Sequence, residues 1–168
     1  MASMIFREAQ ISDILQIQVV RNAVKENTLS DPALVTNKDC ENYITVRGAG
    51  WVCETENTIV GFSIVDLTGN DVWALFVLPG YEGNGIGKKL HNLMLDWYFS
   101  KTDHNIWLGT ASDTRAEQFY KLCGWKEVER KTQTRKKDHS TWTEVRFEMT
   151  AEQWRHLNNT AFNNNTKR

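Results

Sequence analysis

Three glycines at alternate positions, Gly83, Gly85 and Gly87, lie between a predicted strand and a predicted helix. Glycine lacks a Cβ, so the backbone of such a turn can come close to a ligand. The first N–H groups of the helix that follows have no intrahelical acceptor, and they favour a bound anion such as a phosphate. Lys88 and Lys89, in the first turn of this helix, oppose the helix dipole unless an anion lies nearby. The segment predicts an anion-binding turn; the alternative is a glycine-rich connection with two solvated lysines.

The spacing of these glycines argues against two common nucleotide loops. It reads G-x-G-x-G, which departs from the G-x-G-x-x-G of dinucleotide-binding folds, and no G-K-[S/T] follows as it does in a P-loop. A nucleotide-binding function is therefore disfavoured.

Two motifs together resemble one family. The turn from Glu82 to Gly87, E-G-N-G-I-G, is similar to motif A (Q/R-x-x-G-x-G/A) of the GNAT superfamily of N-acetyltransferases, which binds the pyrophosphate of acetyl-CoA. The segment A-E-Q-F-Y-K-L-C-G-W, from Ala116 to Trp125, resembles the A-x-x-x-Y-x-x-x-G-F segment after the family's fifth strand. The resemblance implies the GNAT-like α/β fold. That fold has a central mixed, mostly antiparallel sheet with one parallel strand-helix-strand unit, flanked by helices.

The resemblance also implies which residues bind the cofactor. The pyrophosphate would lie over residues 83–88. The pantetheine arm would pair with the backbone of the fourth strand, whose side chains can pack in the core at the same time. The implied cofactor-binding residues are Leu75, Phe76, Val77, Glu82, Gly83, Asn84, Gly85, Ile86, Gly87, Lys88, Asp113 and Tyr120. Two of them depart from the family pattern: Glu82 stands where Gln or Arg is usual, and Asp113 where an Asn often contacts the cofactor. The alternative for Asp113 is a residue that only caps the next helix.

Acetyl transfer from a thioester to an amine needs an oxyanion donor, a proton acceptor and a proton donor. By resemblance, Tyr120 is the general acid, and a reference pKa of about 10 keeps it protonated at pH 7. Its alternative is a core tyrosine of an amphipathic helix. Asp71 opens the fourth strand where some family members carry a catalytic Glu, so it is the candidate base, with an ordinary turn aspartate as the alternative. Glu54 is the reserve candidate.

Periodicity predicts the elements that must position these residues. Strands are predicted at 5–9, 51–55, 59–67, 71–78, 105–110, 126–135 and 141–150, and helices at 11–26, 39–46, 86–101 and 114–122. Residues 27–39 carry Pro32 and several polar residues and are predicted to form a loop. Thr114 and Glu117 predict a capping box. Because a helix joins the strands at 71–78 and 105–110, these two strands are predicted to pair in parallel.

Composition limits the classes of function. The chain has 168 residues with a formal net charge of −1, which predicts one domain over residues 1–150 and no nucleic-acid partner. Residues 151–168 are predicted to form a short helix or turn and an Asn-rich tail. The longest apolar run is far too short to span a membrane, and the absence of a signal-peptide pattern predicts a cytoplasmic protein. Three separated cysteines and four histidines without ligand spacing predict no metal, and exposed edge strands allow a homodimer.

The sequence therefore predicts an acetyl-CoA-dependent N-acetyltransferase that moves an acetyl group to a primary amine of a small molecule, peptide or protein by direct transfer in a ternary complex. Cys123 has no evident His or Asp partner, which disfavours a route through an acyl-cysteine. The alternative is a non-catalytic module that binds acyl-CoA. The departures at Glu82 and Asp113 are the features that favour this alternative.

Overall fold

A computed structural model of the protein describes residues 3–24 and 35–165, with side chains through residue 160. The end of the first predicted helix, residues 25–26, and most of the predicted loop, residues 27–34, lie outside the described residues, as do residues 1–2 and 166–168. The strands are β1 (Met4–Glu8), β2 (Gly48–Thr55), β3 (Thr58–Asp66), β4 (Asp71–Val77), β5 (Ile106–Ala111), β6 (Lys126–Thr134) and β7 (Thr141–Met149). The helices are α1 (Ile14–Ala23), α2 (Asn37–Asn42), α3 (Ile86–Lys101), α4 (Arg115–Leu122) and α5 (Ala151–Asn165). The chain divides into two compact units, residues 1–101 and 102–168.

In the first unit, β1 to β4 pair with one another in chain order, each antiparallel to the next. The turn between β2 and β3 places Glu56 and Asn57 at φ 50° and 61°, as a type I′ hairpin turn requires. Side chains of β3 alternate between two layers. Phe62 and Ile64 belong to the core cluster that contains α1, while the Ser63 hydroxyl between them donates to the Leu90 carbonyl of α3. The sheet of this unit is therefore covered by α1 on one face and α3 on the other.

A β-bulge interrupts β4 near its start. Ile64 pairs with Ala74 and Val65 pairs with Val72, which leaves Trp73 without a partner on β3. The Trp73 ring instead stacks on the ring of Tyr43, which lies outside the sheet. Because a bulge bends its strand and increases the local twist, the first residues of β4 run in a different direction from the rest of the strand.

The second helix differs from the one predicted at 39–46. Thr36 accepts a hydrogen bond from the Asp39 N–H at 3.0 Å and donates its own N–H to the Asp39 carboxylate at 2.9 Å, so this capping box starts α2 at Asn37. From Tyr43 to Arg47 the helix widens into a π turn. Stacking of Tyr43 on Trp73, with ring centroids 4.0 Å apart, holds this turn against β4.

In the second unit, β5, β7 and β6 form antiparallel pairs in that order, and every residue of β6 is exposed. Thr114 caps α4 as predicted, because its hydroxyl accepts from the Glu117 N–H. The reciprocal half of the capping box differs, since the Glu117 carboxylate accepts from the Asp113 N–H at 2.8 Å and not from Thr114. Gly124 ends the helix at φ 92°.

The last helix is longer than the predicted short helix or turn. Thr150 and Gln153 exchange two hydrogen bonds of 2.9 and 3.0 Å between side chain and backbone, and Trp154, in the first turn, is buried. α5 continues to Asn165, so most of the segment predicted as an Asn-rich tail has a helical backbone.

The fold class is the predicted one, a mixed α/β fold with mostly antiparallel strands and the strand-helix-strand order β4-α3-β5. Within the described part of the chain, no helix combines the length and the apolar character needed to cross a membrane.

Candidate active site

The turn between β4 and α3 has the conformation that its glycines predict. Gly80, Gly83 and Gly85 have φ of 93°, 79° and 77°, a region that residues with a Cβ rarely occupy. A Cβ added at any of these three positions would meet no atom within 4 Å. The third glycine of the motif, Gly87, lies inside the first turn of α3. The turn therefore presents bare, exposed backbone to open space at the helix N-terminus, and we call residues 80–87 the glycine turn.

Neighbouring groups hold the glycine turn in place. The Asn84 side chain donates to the Tyr81 carbonyl at 3.1 Å, and the Lys89 N–H donates to the Gly85 carbonyl at 3.1 Å, which begins the hydrogen bonding of α3. Because α3 begins at Ile86, its first N–H groups have no intrahelical acceptor. An anion is the ligand that such a terminus favours.

Glu82, the residue that departs from the family motif, folds back onto the turn. Its Oε2 atom accepts a hydrogen bond from the Gly80 N–H at 3.2 Å. The carboxylate therefore bonds to a backbone group that precedes Gly83 and Gly85, although its negative charge remains at this end of β4.

Leu75, Phe76 and Val77 form the C-terminal half of β4 and lead directly into the glycine turn. One edge of this segment pairs with β3, with Leu75 opposite Ser63 and Val77 opposite Gly61. All three residues are half-buried, and Phe76 packs against the core cluster that contains α1. The structure thus brings the predicted strand and turn residues of the first unit into one continuous segment.

Asp71 lies at the opposite end of β4, six residues before Val77 and thus about 20 Å from it along the strand. Its partner in the register of the sheet is Asp66, the last residue of β3, and the two carboxyl groups lie within hydrogen-bonding reach of each other. We call Asp66 and Asp71 the carboxyl pair.

The two members of the carboxyl pair have different surroundings. Asp66 is 2% exposed, and its carboxylate accepts from Arg47 at 2.6 Å and from the Thr68 N–H at 3.0 Å. Against the opposing effect of burial, these donors hold the pKa of Asp66 below its usual value. Burial, followed by the charge of Asp66, raises the pKa of Asp71 to about 6. A carboxyl group with this pKa is mostly ionised at pH 7 and can accept a proton there.

Tyr120 lies in the second unit, on α4, and is buried to 6% exposure. Its ring packs edge-on against Trp125 at 5.6 Å between centroids and tilts against Phe147 at 6.2 Å. This burial raises the pKa of Tyr120 well above its usual value. The phenol is therefore protonated throughout the neutral range, as a proton donor must be. The buried ring also agrees with the alternative interpretation, in which Tyr120 is a core residue of an amphipathic helix.

Asp113, also in the second unit, is exposed and has a left-handed φ of 60°. The helix cap is Thr114, so Asp113 is not the capping residue of the alternative interpretation. Its N–H is held by the buried carboxylate of Glu117, which also pairs with Arg130 of β6 and with Lys121 at 3.4 Å. These contacts fix the backbone at Asp113.

Glu54, the reserve base, is engaged elsewhere. It accepts from Arg7 of β1 at 3.2 Å and lies near the end of β2, whereas Gly48, at the start of that strand, pairs with Asp66. Six residues of β2 therefore separate Glu54 from the carboxyl pair, about 20 Å along the strand. Glu54 is not placed to replace Asp71.

Asp66 and Arg47 are not among the site residues predicted from the sequence. One signal was available for Asp66: it and Asp71 flank the four-residue turn 67–70, and a hairpin places such residues opposite each other. No local signal points to Arg47, which reaches Asp66 from the π turn, 19 residues away. Among the described residues, no three His, Cys, Asp or Glu side chains are grouped so that they could hold a metal ion.

Comparisons with known proteins identify the family of the chain. The sequence model of the acetyltransferase (GNAT) family matches residues 14–125. No curated protein sequence matches the chain.

Among solved structures, the ribosomal-protein-S18-alanine N-acetyltransferase of Escherichia coli aligns with a TM-score of 0.73 at 12% identity, over 89% of this chain and 94% of the other. The protein yncA of Salmonella typhimurium, solved with acetyl-CoA, aligns with a TM-score of 0.72 at 15% identity, over 88% and 94%. NAA60 of Arabidopsis thaliana, solved with a bisubstrate analogue, aligns with a TM-score of 0.71 at 14% identity, over 88% and 98%. At these identities the likeness concerns the fold. The family match covers well over half of the chain and includes the glycine turn, the carboxyl pair and Tyr120, so the chain belongs to the GNAT acetyltransferase family.

Proposed function

We propose that the protein transfers an acetyl group from acetyl-CoA to a primary amine of a small molecule, peptide or protein, by direct transfer in a ternary complex. The observation that carries the proposal is the arrangement of β4. An open glycine turn follows one end of this strand, and the carboxyl pair, one member of which can accept a proton near neutral pH, stands at the other.

In this proposal residues 83–88, which include Gly83, Gly85 and Lys88, bind the pyrophosphate of acetyl-CoA. The empty space beside Gly83 and Gly85 fits a group that must approach backbone N–H donors closely. The edge of Leu75, Phe76 and Val77 that faces away from β3 would bind the amides of the pantetheine arm as an added strand does, and a backbone N–H there would polarise the thioester carbonyl. Asp113 is proposed as a further cofactor contact.

The proton transfers are assigned to Asp71 and Tyr120. Asp71 takes a proton from the acceptor nitrogen, for which a carboxylate with a pKa of about 6 is suited. Tyr120 supplies a proton to the departing sulfur and is reprotonated from solvent. The acceptor loses one proton and the sulfur gains one, so a neutral amine yields an amide and a thiol without net proton release.

We include two further expectations in the proposal. The three cysteines are free thiols, and two of them are buried, which supports a reducing compartment such as the cytoplasm. The exposed strand β6 supports association of two copies of the chain through that strand.

The non-catalytic alternative is favoured by one observation, the burial of Tyr120, which limits its access to a leaving group. The two functions are separated by incubating the protein with acetyl-CoA and a panel of acceptors, and by measuring both free CoA thiol and acetylated product by mass spectrometry. The aligned enzyme of Escherichia coli is an alanine N-acetyltransferase of a ribosomal protein, so peptides with an amino-terminal alanine belong in the panel beside lysine peptides and small diamines. Acetylated product supports the enzyme. Binding of acetyl-CoA without product from any acceptor supports the binding module.

A further inference from the structure

The carboxyl pair is built into the fold by more than its own two side chains. Asp66 ends β3 and Asp71 begins β4, and the turn 67–70 closes the hairpin between them. The Tyr98 hydroxyl of α3 donates to the Asn70 side chain at 2.8 Å, which ties the turn to the helix layer. The hairpin register therefore places the two residues of the pair opposite each other.

Gly69 lies directly beside both carboxyl groups of the pair. A methyl group at this position would lie 2.5 Å from Asp66 Oδ2 and 2.7 Å from Asp71 Oδ1. One oxygen of each carboxyl group thus occupies the space beside the Gly69 Cα atom, which any larger residue would fill. The turn accepts two acidic oxygens side by side only because residue 69 is glycine.

Arg47 makes the pair asymmetric. Its guanidinium donates to Asp66 at 2.6 Å, its carbonyl accepts from the Leu67 N–H at 2.9 Å, and its side chain lies over the Tyr43 ring. The cation is therefore fixed on the Asp66 side of the pair. Negative charge is stabilised on Asp66, and a proton held by the pair resides on Asp71.

We propose that Asp66 is a positioning residue for the base of the acetyl transfer: it orients Asp71 and accepts a hydrogen bond from it once Asp71 has taken the acceptor's proton, while Arg47 keeps the charge of the pair on Asp66. This inference rests on the proposed function. In the step concerned, an N–H bond of the acceptor breaks and its proton moves to Asp71. A bond forms between the nitrogen and the acetyl carbon, and the C–S bond breaks with its electron pair on sulfur, which is then protonated.

The charged and titratable groups around Asp71 agree with this assignment. Asp66 of β3 raises the pKa of Asp71, after burial, and Arg47 of the π turn opposes the rise. Burial and the charge of Asp71 raise the pKa of Tyr98 to about 12, so this tyrosine remains a neutral donor to Asn70. Since the charges of Asp66 and Arg47 have opposite effects on the pKa of Asp71, removal of either charge should change the proton affinity of Asp71.

The test uses two single-residue variants of the chain, for which opposite effects are expected. In Asp66→Asn the like charge is gone, so the titration midpoint of Asp71 falls by about one pH unit or more. In Arg47→Gln the stabilising cation is gone, so the midpoint rises. Damage to the fold would not produce shifts of opposite sign. Asp13→Asn is the matched control, because Asp13 is also buried and pairs with an arginine, Arg7, at 2.7 Å, but belongs to a different cluster.

Two readouts are needed. Carboxyl NMR of protein labelled with ¹³C-aspartate measures the midpoint of Asp71 directly, with Asp71→Asn to assign its signal. The pH dependence of kcat/KM, measured by CoA release with acetyl-CoA and the acceptor that the panel identifies, gives an acidic limb that should shift with the NMR midpoint in both variants and stay in place in Asp13→Asn.

An unchanged NMR midpoint in Asp66→Asn overturns the proposal, and so does a shifted midpoint that the acidic limb does not follow. If no acceptor releases CoA from wild-type protein that binds acetyl-CoA, the proposed function fails and this inference fails with it. The NMR titration distinguishes that case, because it still shows whether the two carboxyl groups are coupled.

Discussion

Asp71→Asn should increase the stability of the protein while it lowers turnover. A carboxyl group whose pKa is raised on folding destabilises the folded state when it is ionised. Asn has nearly the same size, cannot ionise, and can donate its amide to the Asp66 carboxylate in place of the acidic proton. The substitution therefore removes an electrostatic cost and keeps the hydrogen bond.

The size of the effect follows from the pKa of Asp71. The rise from 3.8 to about 6 is about two units, which corresponds to about 3 kcal/mol at most. Asp71 is only half-buried, so solvent screens part of this energy, and a gain of about 1–2 kcal/mol is expected at pH 8. Because the pKa of Asp71 is higher in the folded state than in the unfolded state, the folded wild-type protein loses stability as pH rises from about 4 to 6. The advantage of the variant should therefore be complete above pH 7 and absent below pH 4.

The assay is urea unfolding of wild type and Asp71→Asn at several pH values, followed by tryptophan fluorescence, with kcat/KM for CoA release measured on the same preparations. If Asp71 is the base, kcat/KM falls by about a hundredfold. A difference in stability that does not change between pH 4 and pH 8 would refute the reasoning about the carboxyl pair. If the variant is more stable but has full turnover, the reasoning about the carboxyl pair holds, and Asp71 is not the base of the reaction.

Three further predictions concern the other proposed residues. Gly85→Val should weaken CoA binding in calorimetry by at least about tenfold, because valine is strained at φ 77° and would project into the open space of the glycine turn. Gly80→Val, equally strained at φ 93° but before the motif, is the matched control, and an equal loss would show that only general strain is measured. Tyr120→Phe should leave CoA affinity and folding intact and lower kcat by roughly 10²–10⁴ if proton donation to sulfur limits the rate; unchanged kcat would make Tyr120 a core residue alone. Glu82→Gln should tighten CoA binding about two- to fivefold at low salt and not at high salt, since it removes an exposed negative charge beside the phosphate site; equal affinities at low salt would contradict that placement.

The glycine turn could be predicted from the sequence because all of its determinants are local. Residues in left-handed conformation, the helix N-terminus and the strand before it all lie within ten positions, and Gly83 and Gly85 have the backbone that their spacing implies. The carboxyl pair could not be predicted in the same way. Whether Asp66 and Asp71 face each other depends on the length of the turn, and the charge on Asp66 depends on Arg47, whose position is set by a π turn that has no recognised sequence signal.

The position of the two sites on one strand bears on the choice between enzyme and binding module. A ligand bound at the glycine turn alone would leave the carboxyl pair, about 20 Å along β4, without a part in binding. In the proposed binding mode, an extended acyl carrier with its anion at the turn would run along the strand toward the pair, and its reactive end would come nearest to Asp71. A protein that only binds acyl-CoA gains nothing from an aspartate that destabilises its own fold when ionised, and asparagine would serve it better. An enzyme would use Asp71 as a base, because the same unfavourable charge makes the carboxylate take a proton near neutral pH.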